Sequence, residues 1–167
     1  FSPGTMAKMG LDYDALCGDH SDLVMLSTSM LGQTGPLREY AGYGQQASAF
    51  AGFQNITGWP DREPCGVYAP YTDVIAPKFG NSALAAALYE RNRSGKGQLI
   101  DLAQAECSLY LLAPIIMDEI ANGVTAVRPG MDSIYACPHG SYATAGTERY
   151  IALSIETATQ WRSLLRL

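Results

Sequence analysis

The stretch Arg93-Ser94-Gly95-Lys96-Gly97-Gln98-Leu99-Ile100-Asp101-Leu102 closes one element and opens another. Upstream of it, Thr72 to about Arg93 reads as a helix that Thr72 caps, with Pro77 tolerated in its early turns. Gly95 suits the left-handed residue that ends a helix, and Arg91, Arg93 and Lys96 stand where cations favour its C-terminal end. Gln98–Leu102 then reads as a short strand. About Ala103–Asn122 follows as a second helix, apolar nearly all round, a pattern that belongs in a large core or a subunit interface. A second strand-length apolar run lies earlier, at Asp22–Ser29. Up to about residue 122 the chain is therefore expected to be mixed α/β.

Residues 1–21 read as a Pro/Gly entry turn with short helical pieces. Leu31–Gly44 carries four glycines and a proline and reads as a loop, and 45–56 as a small-residue helix. Gly58–Pro70 holds Pro60, Pro64 and Pro70 and is expected to be irregular. After Gly123 the character changes. Residues 123–138 read as a linker, and 140–144 and 149–155 as two strands joined by Ala145-Gly146-Thr147-Glu148. The expected division is 1–122, a linker at 123–138, and the start of a small α+β domain at 139–167. The chain opens on Phe1 and closes on an amphipathic run from Trp161 to Leu167, which suggests a piece of a longer polypeptide.

Composition narrows the function classes. The 167 residues are 47% hydrophobic and 16% charged, ordinary for a folded chain, with a net charge of −5. That balance argues against broad attraction to nucleic acid or an anionic membrane. The most apolar run, Cys107–Met117, is too short to span a bilayer. Cys17, Cys65, Cys107 and Cys137 form no C-x-x-C pair, and only His20 and His139 accompany them. Neither a metal cluster nor a disulfide framework is indicated, and reduced thiols without a signal peptide point to a cytoplasmic location.

Three candidate motifs carry chemistry. Gly42-Tyr43-Gly44-Gln45-Gln46-Ala47 fits G-x-G-x-x-A, but the charged, turn-like Leu37–Ala41 precedes it where a dinucleotide site needs a buried strand. A nucleophile–His–acid triad lacks any G-x-S-x-G elbow. Asp73, within Gly66-Val67-Tyr68-Ala69-Pro70-Tyr71-Thr72-Asp73-Val74-Ile75-Ala76-Pro77, sits among apolar and aromatic residues at a helix start. By itself that is equally the pattern of a first-turn carboxylate balancing the helix dipole.

The ordered segments decide between these readings. Phe1-Ser2-Pro3-Gly4 with Met9-Gly10-Leu11-Asp12-Tyr13 resembles the N-F-x-P-G…L-G-L-D-Y segment of the family III CoA-transferases. Gly32-Gln33-Thr34-Gly35-Pro36 matches the family's G-Q-T-G-P loop, and Ile56-Thr57-Gly58 its I-T-G turn. Asp73 stands in the place of the catalytic Asp, and Arg93–Asp101 is similar to the R-T-G-x-G-Q-x-x-D signature. The resemblance implies part of a Rossmann-like large domain plus the start of a small α+β domain, from an interlocked homodimer. It also implies that residues 1–167 alone would be inactive.

The resemblance further implies a mechanism. The carboxylate of Asp73 attacks an acyl-CoA thioester, giving a mixed anhydride and then an aspartyl-CoA thioester, which a free carboxylic acid discharges. A carboxylate with a reference pKa of about 3.9 needs no base for this, and a thiolate departs without a proton. No prosthetic group is implied; the CoA thioester enters as substrate. By position, Phe1, Ser2, Lys8, Tyr43 and Gly44 match CoA-contacting places, Lys8 where a basic residue meets the nucleotide phosphates. Tyr71, His139 and Gly140 fall on the acid-substrate side. Two departures matter. Acyl-CoA racemases carry G-H-D where this chain has Gly42-Tyr43-Gly44, which disfavours racemisation. Cys137–Ser141 also lacks the glycine-rich run of formyl-CoA transferases, and Tyr68 with Tyr71 suggests a larger, aromatic or alicyclic acid. Outside enzymes, the alternative is a binding or scaffold unit in which Asp73 is only a cap.

Overall fold

The computed structural model describes all residues from Phe1 to Leu167. The chain is mixed α/β and divides into two compact units. Phe1–Gln54 with Gly66–Ala126 form the first, and Asn55–Cys65 with Val127–Leu167 the second.

In the first unit, two single-turn helices, α1 (Thr5–Lys8) and α2 (Tyr13–Leu16), lead into β1 (Val24–Ser29). Helix α3 (Gly44–Phe50) and the long α4 (Tyr71–Ser94) separate β1 from β2 (Gln98–Ala103). β1 and β2 pair in parallel, from Val24 opposite Gln98 to Ser29 opposite Ala103. Parallel neighbours require such a crossover, and α4 supplies it by lying against both strands. The helix lies close to the sheet at Gly80, where a Cβ would stand in ordinary contact with Leu26 Cδ2 at 3.4 Å and Leu102 Cδ1 at 3.8 Å. Ile75, Ala76 and Ala87 of α4 are buried, as are Leu102 and Ala103 of β2.

The junction that the sequence singles out forms as expected. Gly95 takes the left-handed conformation at φ 71° and donates its N–H to the Arg91 carbonyl at 2.8 Å. Gly97 donates to the Ser21 carbonyl at 2.8 Å, and a Cβ on it would stand 1.9 Å from the Leu23 carbonyl oxygen. β2 can enter beside β1 only because that residue has no side chain. Further along β2, the Asp101 carboxylate accepts the Gln33 N–H at 3.0 and 2.9 Å, pinning the Gly32–Pro36 loop.

Three expectations need correction. Thr72 does not cap α4: the helix begins at Tyr71 after Pro70, and the Thr72 hydroxyl is fully buried inside it. The expected 103–122 helix is two, α5 (Gln104–Leu111) and α6 (Ala113–Asn122), broken at Leu112. Pro114 has no N–H for the Tyr110 carbonyl and its ring crowds that turn, which ends the first helix. The expected 45–56 helix stops at Phe50 and resumes as a 3-10 turn, Phe53–Ile56, because Gly52 intervenes at φ 99°. The apolar α6 buries no residue within the chain; Ile120 is 72% exposed.

In the second unit, β3 (His139–Ala143) and β4 (Tyr150–Ser154) form an antiparallel pair, and α7 (Ala158–Leu164) follows. The Arg128 guanidinium donates to the Trp59 and Arg62 carbonyls, each at 3.2 Å. Gly130 N–H donates to the Gly58 carbonyl at 2.9 Å. These bonds fasten the proline-rich Asn55–Cys65 segment to 127–167, a membership with no sequence signal. α7 opens on a capping box in which Thr157 Oγ1 accepts the Gln160 N–H and Gln160 Oε1 accepts the Thr157 N–H.

The Gly97 contact yields a stability test. Gly97→Ala is expected to lower the unfolding free energy by about 2 kcal/mol or more, since backbone must move to admit the methyl. Gly18→Ala, where a Cβ meets nothing within 4 Å, is expected to stay within about 0.5 kcal/mol of the parent. Urea unfolding of both variants checks the pair.

Candidate active site

Asp73 is the third residue of α4, where an anion is favoured by the unpaired N–H groups of the first turn. Pro77, one turn on, offers no N–H to the Asp73 carbonyl, so the helix is loosened at this point. The Asp73 side chain is exposed and makes no ion pair. Its Oδ1 accepts a hydrogen bond from Gln104 Nε2 at 3.0 Å. Its other oxygen lies over Gly44: a Cβ on that glycine would stand 2.5 Å from Asp73 Oδ2 and 2.5 Å from Pro70 Cβ.

Buried polar contacts hold this arrangement. Gly44 opens α3, and its carbonyl accepts from Ser48 Oγ at 2.8 Å and from Thr72 Oγ1 at 3.1 Å. Both hydroxyls are completely buried. The Thr72 bond links the first turn of α4 to the first turn of α3, so Asp73 is carried to Gly44 by its neighbour's hydroxyl. Tyr43 precedes Gly44, with its N–H bonded to Gln46 Oε1 at 3.0 Å and its ring 83% exposed. No strand precedes Gly42, so G-x-G-x-x-A here opens a short helix after a loop.

The sequence-derived site residues of the first unit fall into two places. Tyr43, Gly44 and Asp73 come together at the α3–α4 junction. Phe1, Ser2 and Lys8 instead line a cleft of about 860 Å³ between the entry segment and β1, with Gln33 and Arg38 on its wall. Lys8 and Arg38 put two cations there, against Asp12, Asp14 and Glu39. Asp73 is not part of that cleft's lining. Tyr71 is half-buried and its ring packs against Phe53 in a T-shaped pair at 5.1 Å, while Tyr68 is 97% exposed. In the second unit, His139 opens β3 with Nδ1 paired to the Met131 carbonyl, and Gly140 is buried at φ 147°.

Gln104 had no signal in the sequence. It follows β2 directly and reaches Asp73 across 31 residues of chain. Cys107, three residues on, is kept a thiol: burial raises its pKa, and Glu106 beside it acts in the same direction. No three His, Cys, Asp or Glu side chains gather in a metal-holding group. No helix is long and apolar enough to cross a membrane.

The Gly44 contacts set an order of severity. Thr72→Val leaves Ser48 on the Gly44 carbonyl and is expected to cost about 0.5–1.5 kcal/mol. Gly44→Ala drives a methyl into Asp73 and Pro70 and is expected to cost about 1–3 kcal/mol, the larger loss of the two. Thermal melts of the two variants measured side by side check the ranking.

Comparison with known proteins places the chain in a family. A model of the family described as CoA-transferase family III matches residues 1–167. The succinyl-CoA–D-citramalate CoA-transferase of Chloroflexus aurantiacus is 35% identical over 145 residues, covering 87% of this chain and 36% of that protein. The succinate–glutarate CoA-transferase of Agrobacterium fabrum is 32% identical over 167 residues, covering 100% of this chain and 41% of the relative. A crystal structure of a CaiB/BaiF family protein from Brucella suis superposes with a TM-score of 0.88 at 31% identity, over 99% of this chain and 43% of that one. The chain thus spans well under half the length of these relatives, and over that span it belongs to CoA-transferase family III.

Proposed function

We propose that this chain is part of an enzyme that moves CoA from an acyl-CoA thioester to a free carboxylic acid, with Asp73 as the covalent nucleophile. The observation that carries the reading is the Asp73 carboxylate itself. It is exposed at the opening of α4 and hydrogen-bonded to an amide rather than to a cation or a histidine. A nucleophilic carboxylate needs no general base, and a cationic partner would only blunt it.

The steps follow from bond accounting. One Asp73 oxygen attacks the thioester carbonyl and expels CoA thiolate, leaving a mixed anhydride. The thiolate then attacks Asp73 Cγ and expels the donor acid, leaving an aspartyl-CoA thioester. The acceptor carboxylate attacks Cγ in turn, and the released thiolate takes the acceptor's acyl group from the second anhydride. No step changes an oxidation state, and CoA enters and leaves as substrate and product.

Phe1, Ser2 and Lys8 bind part of the CoA in the cleft that they line, with Lys8 toward its phosphates and Arg38 nearby, paired with Glu39 at 3.6 Å. Tyr43 and Gly44 border the reacting end, and His139 and Gly140 belong to the acid side. The relatives named for succinyl-CoA support a short dicarboxylic acid as one substrate. Tyr71 packs on Phe53, so the exposed Tyr68 is what remains of the support for an aromatic or alicyclic acid. The assembly is a homodimer, a reading supported by the uncovered Ile116, Met117 and Ile120 of α6. Light scattering on the intact protein is expected to give twice the chain mass.

Intact-mass and peptide mapping test the nucleophile. After incubation of the whole protein with succinyl-CoA, a CoA-sized adduct is expected on Asp73 and is expected to vanish with hydroxylamine. Asp73→Asn is expected to lower turnover by roughly 10⁴-fold or more. Deuterium entering the substrate α-carbon with no adduct would instead identify a racemase, and unchanged turnover in Asp73→Asn a non-catalytic role.

A further inference from the structure

We propose that Gln104 is a catalytic hydrogen-bond donor: its amide stabilises the negative charge that forms on Asp73 Oδ1 whenever the aspartyl carbonyl is attacked. The inference rests on Asp73 being the nucleophile.

The two oxygens of Asp73 are not equivalent. Oδ1 receives the Gln104 Nε2 hydrogen bond at 3.0 Å, while Oδ2 overlies the bare Cα of Gly44, where no side chain stands. The oxygen free of a donor keeps its lone pairs for attack, so Oδ2 forms the bond to the acyl carbon. From that point the bookkeeping of atoms is fixed. Oδ2 becomes the bridging oxygen of the first anhydride and leaves with the donor acid when thiolate attacks Cγ. Oδ1 stays doubly bonded to Cγ in the anhydride, in the aspartyl-CoA thioester and in the second anhydride. Each attack on Cγ, first by thiolate and then by the acceptor carboxylate, pushes the carbonyl π pair onto Oδ1. Each collapse returns that pair and expels the leaving group, and no proton is transferred.

A donor already 3.0 Å from the oxygen that gains charge is the geometry of an oxyanion site. Its backbone is also fixed in place. Gln104 is the first residue of α5, between buried Ala103 and Ala105, and its carbonyl accepts the hydroxyl of fully buried Ser108 at 3.0 Å. From that fixed backbone the amide already meets Oδ1 before charge develops. Because the first attack places its charge on the substrate carbonyl and not on Oδ1, the donor acts on the later steps only.

That selectivity is the test. The whole protein is loaded with succinyl-CoA or acetyl-CoA, freed of excess donor, and discharged with limiting hydroxylamine, which attacks the same Cγ whatever the natural acceptor. In Gln104→Met, of matching length, discharge of the Asp73 adduct is expected to slow by about 10²–10³-fold. The KM for acyl-CoA is expected to hold within about two-fold, as for a group that acts in the transition state alone. Gln104→Glu presents an anion at high pH and a donor once protonated, so its kcat relative to the parent is expected to rise as pH falls. If Gln104→Met does not fold, the isosteric Gln104→Glu profile decides alone. Wild-type discharge in Gln104→Met, or a pH-independent ratio in Gln104→Glu, overturns the donor role and leaves the Asp73 adduct intact. Absence of any adduct on the parent protein from either donor overturns the nucleophile reading and this inference with it.

Discussion

The carbonyl of Gly44 is the point on which the first unit's chemistry turns. Two completely buried hydroxyls, Ser48 and Thr72, donate to it, one from its own helix and one from α4. A buried hydroxyl left without a partner costs about 1–3 kcal/mol, so both are bound to this acceptor once the helices pack. The same contact draws the first turn of α4 so close to Gly44 that neither Pro70 nor Asp73 leaves room for a methyl. Packing and site geometry are here one constraint. The glycine is required by the approach, and the approach is held by Thr72.

From that junction the rest of the unit can be followed. α4 runs from Asp73 back across both parallel strands and ends in the left-handed Gly95, which returns the chain to β2 beside β1. β2 and the residue that follows it deliver two side chains in opposite directions of use. Asp101 pins the Gly32–Pro36 loop, which brings Gln33 to the cleft wall. Gln104, just past the strand at the start of α5, reaches Asp73. One short strand thus serves both places where the expected site residues gather, the cleft of Phe1, Ser2 and Lys8 and the junction of Tyr43, Gly44 and Asp73.

Local rules carried much of this in advance. Gly95 as a left-handed cap, the Gln98 strand and the β3–β4 hairpin follow from residue types within a few positions, and they occur where expected. Thr72 shows where such rules stop. As a helix-start threonine it reads as a cap, but a buried acceptor on another helix offered its hydroxyl a better partner. Leu112 shows the reverse case, since Pro114 was present in the sequence and its local effect outweighed a continuous apolar pattern. The Asn55–Cys65 segment joins residues far along the chain through Arg128 and Gly130, which no spacing announces.

By itself the sequence determined the class of the fold, the order of its elements and the identity of the one carboxylate that the ordered motifs mark. Those features depend on neighbouring residues, or on motifs that survive as strings. Only the tertiary structure decided why Gly44 must lack a side chain, and that the Gln104 amide meets one oxygen of Asp73 and leaves the other free. The reason is physical: these contacts join residues 28 and 31 positions apart, as Thr72 to Gly44 and Gln104 to Asp73. Their distances are set by how helices pack on a sheet, and a linear pattern does not encode the packing of one helix upon another.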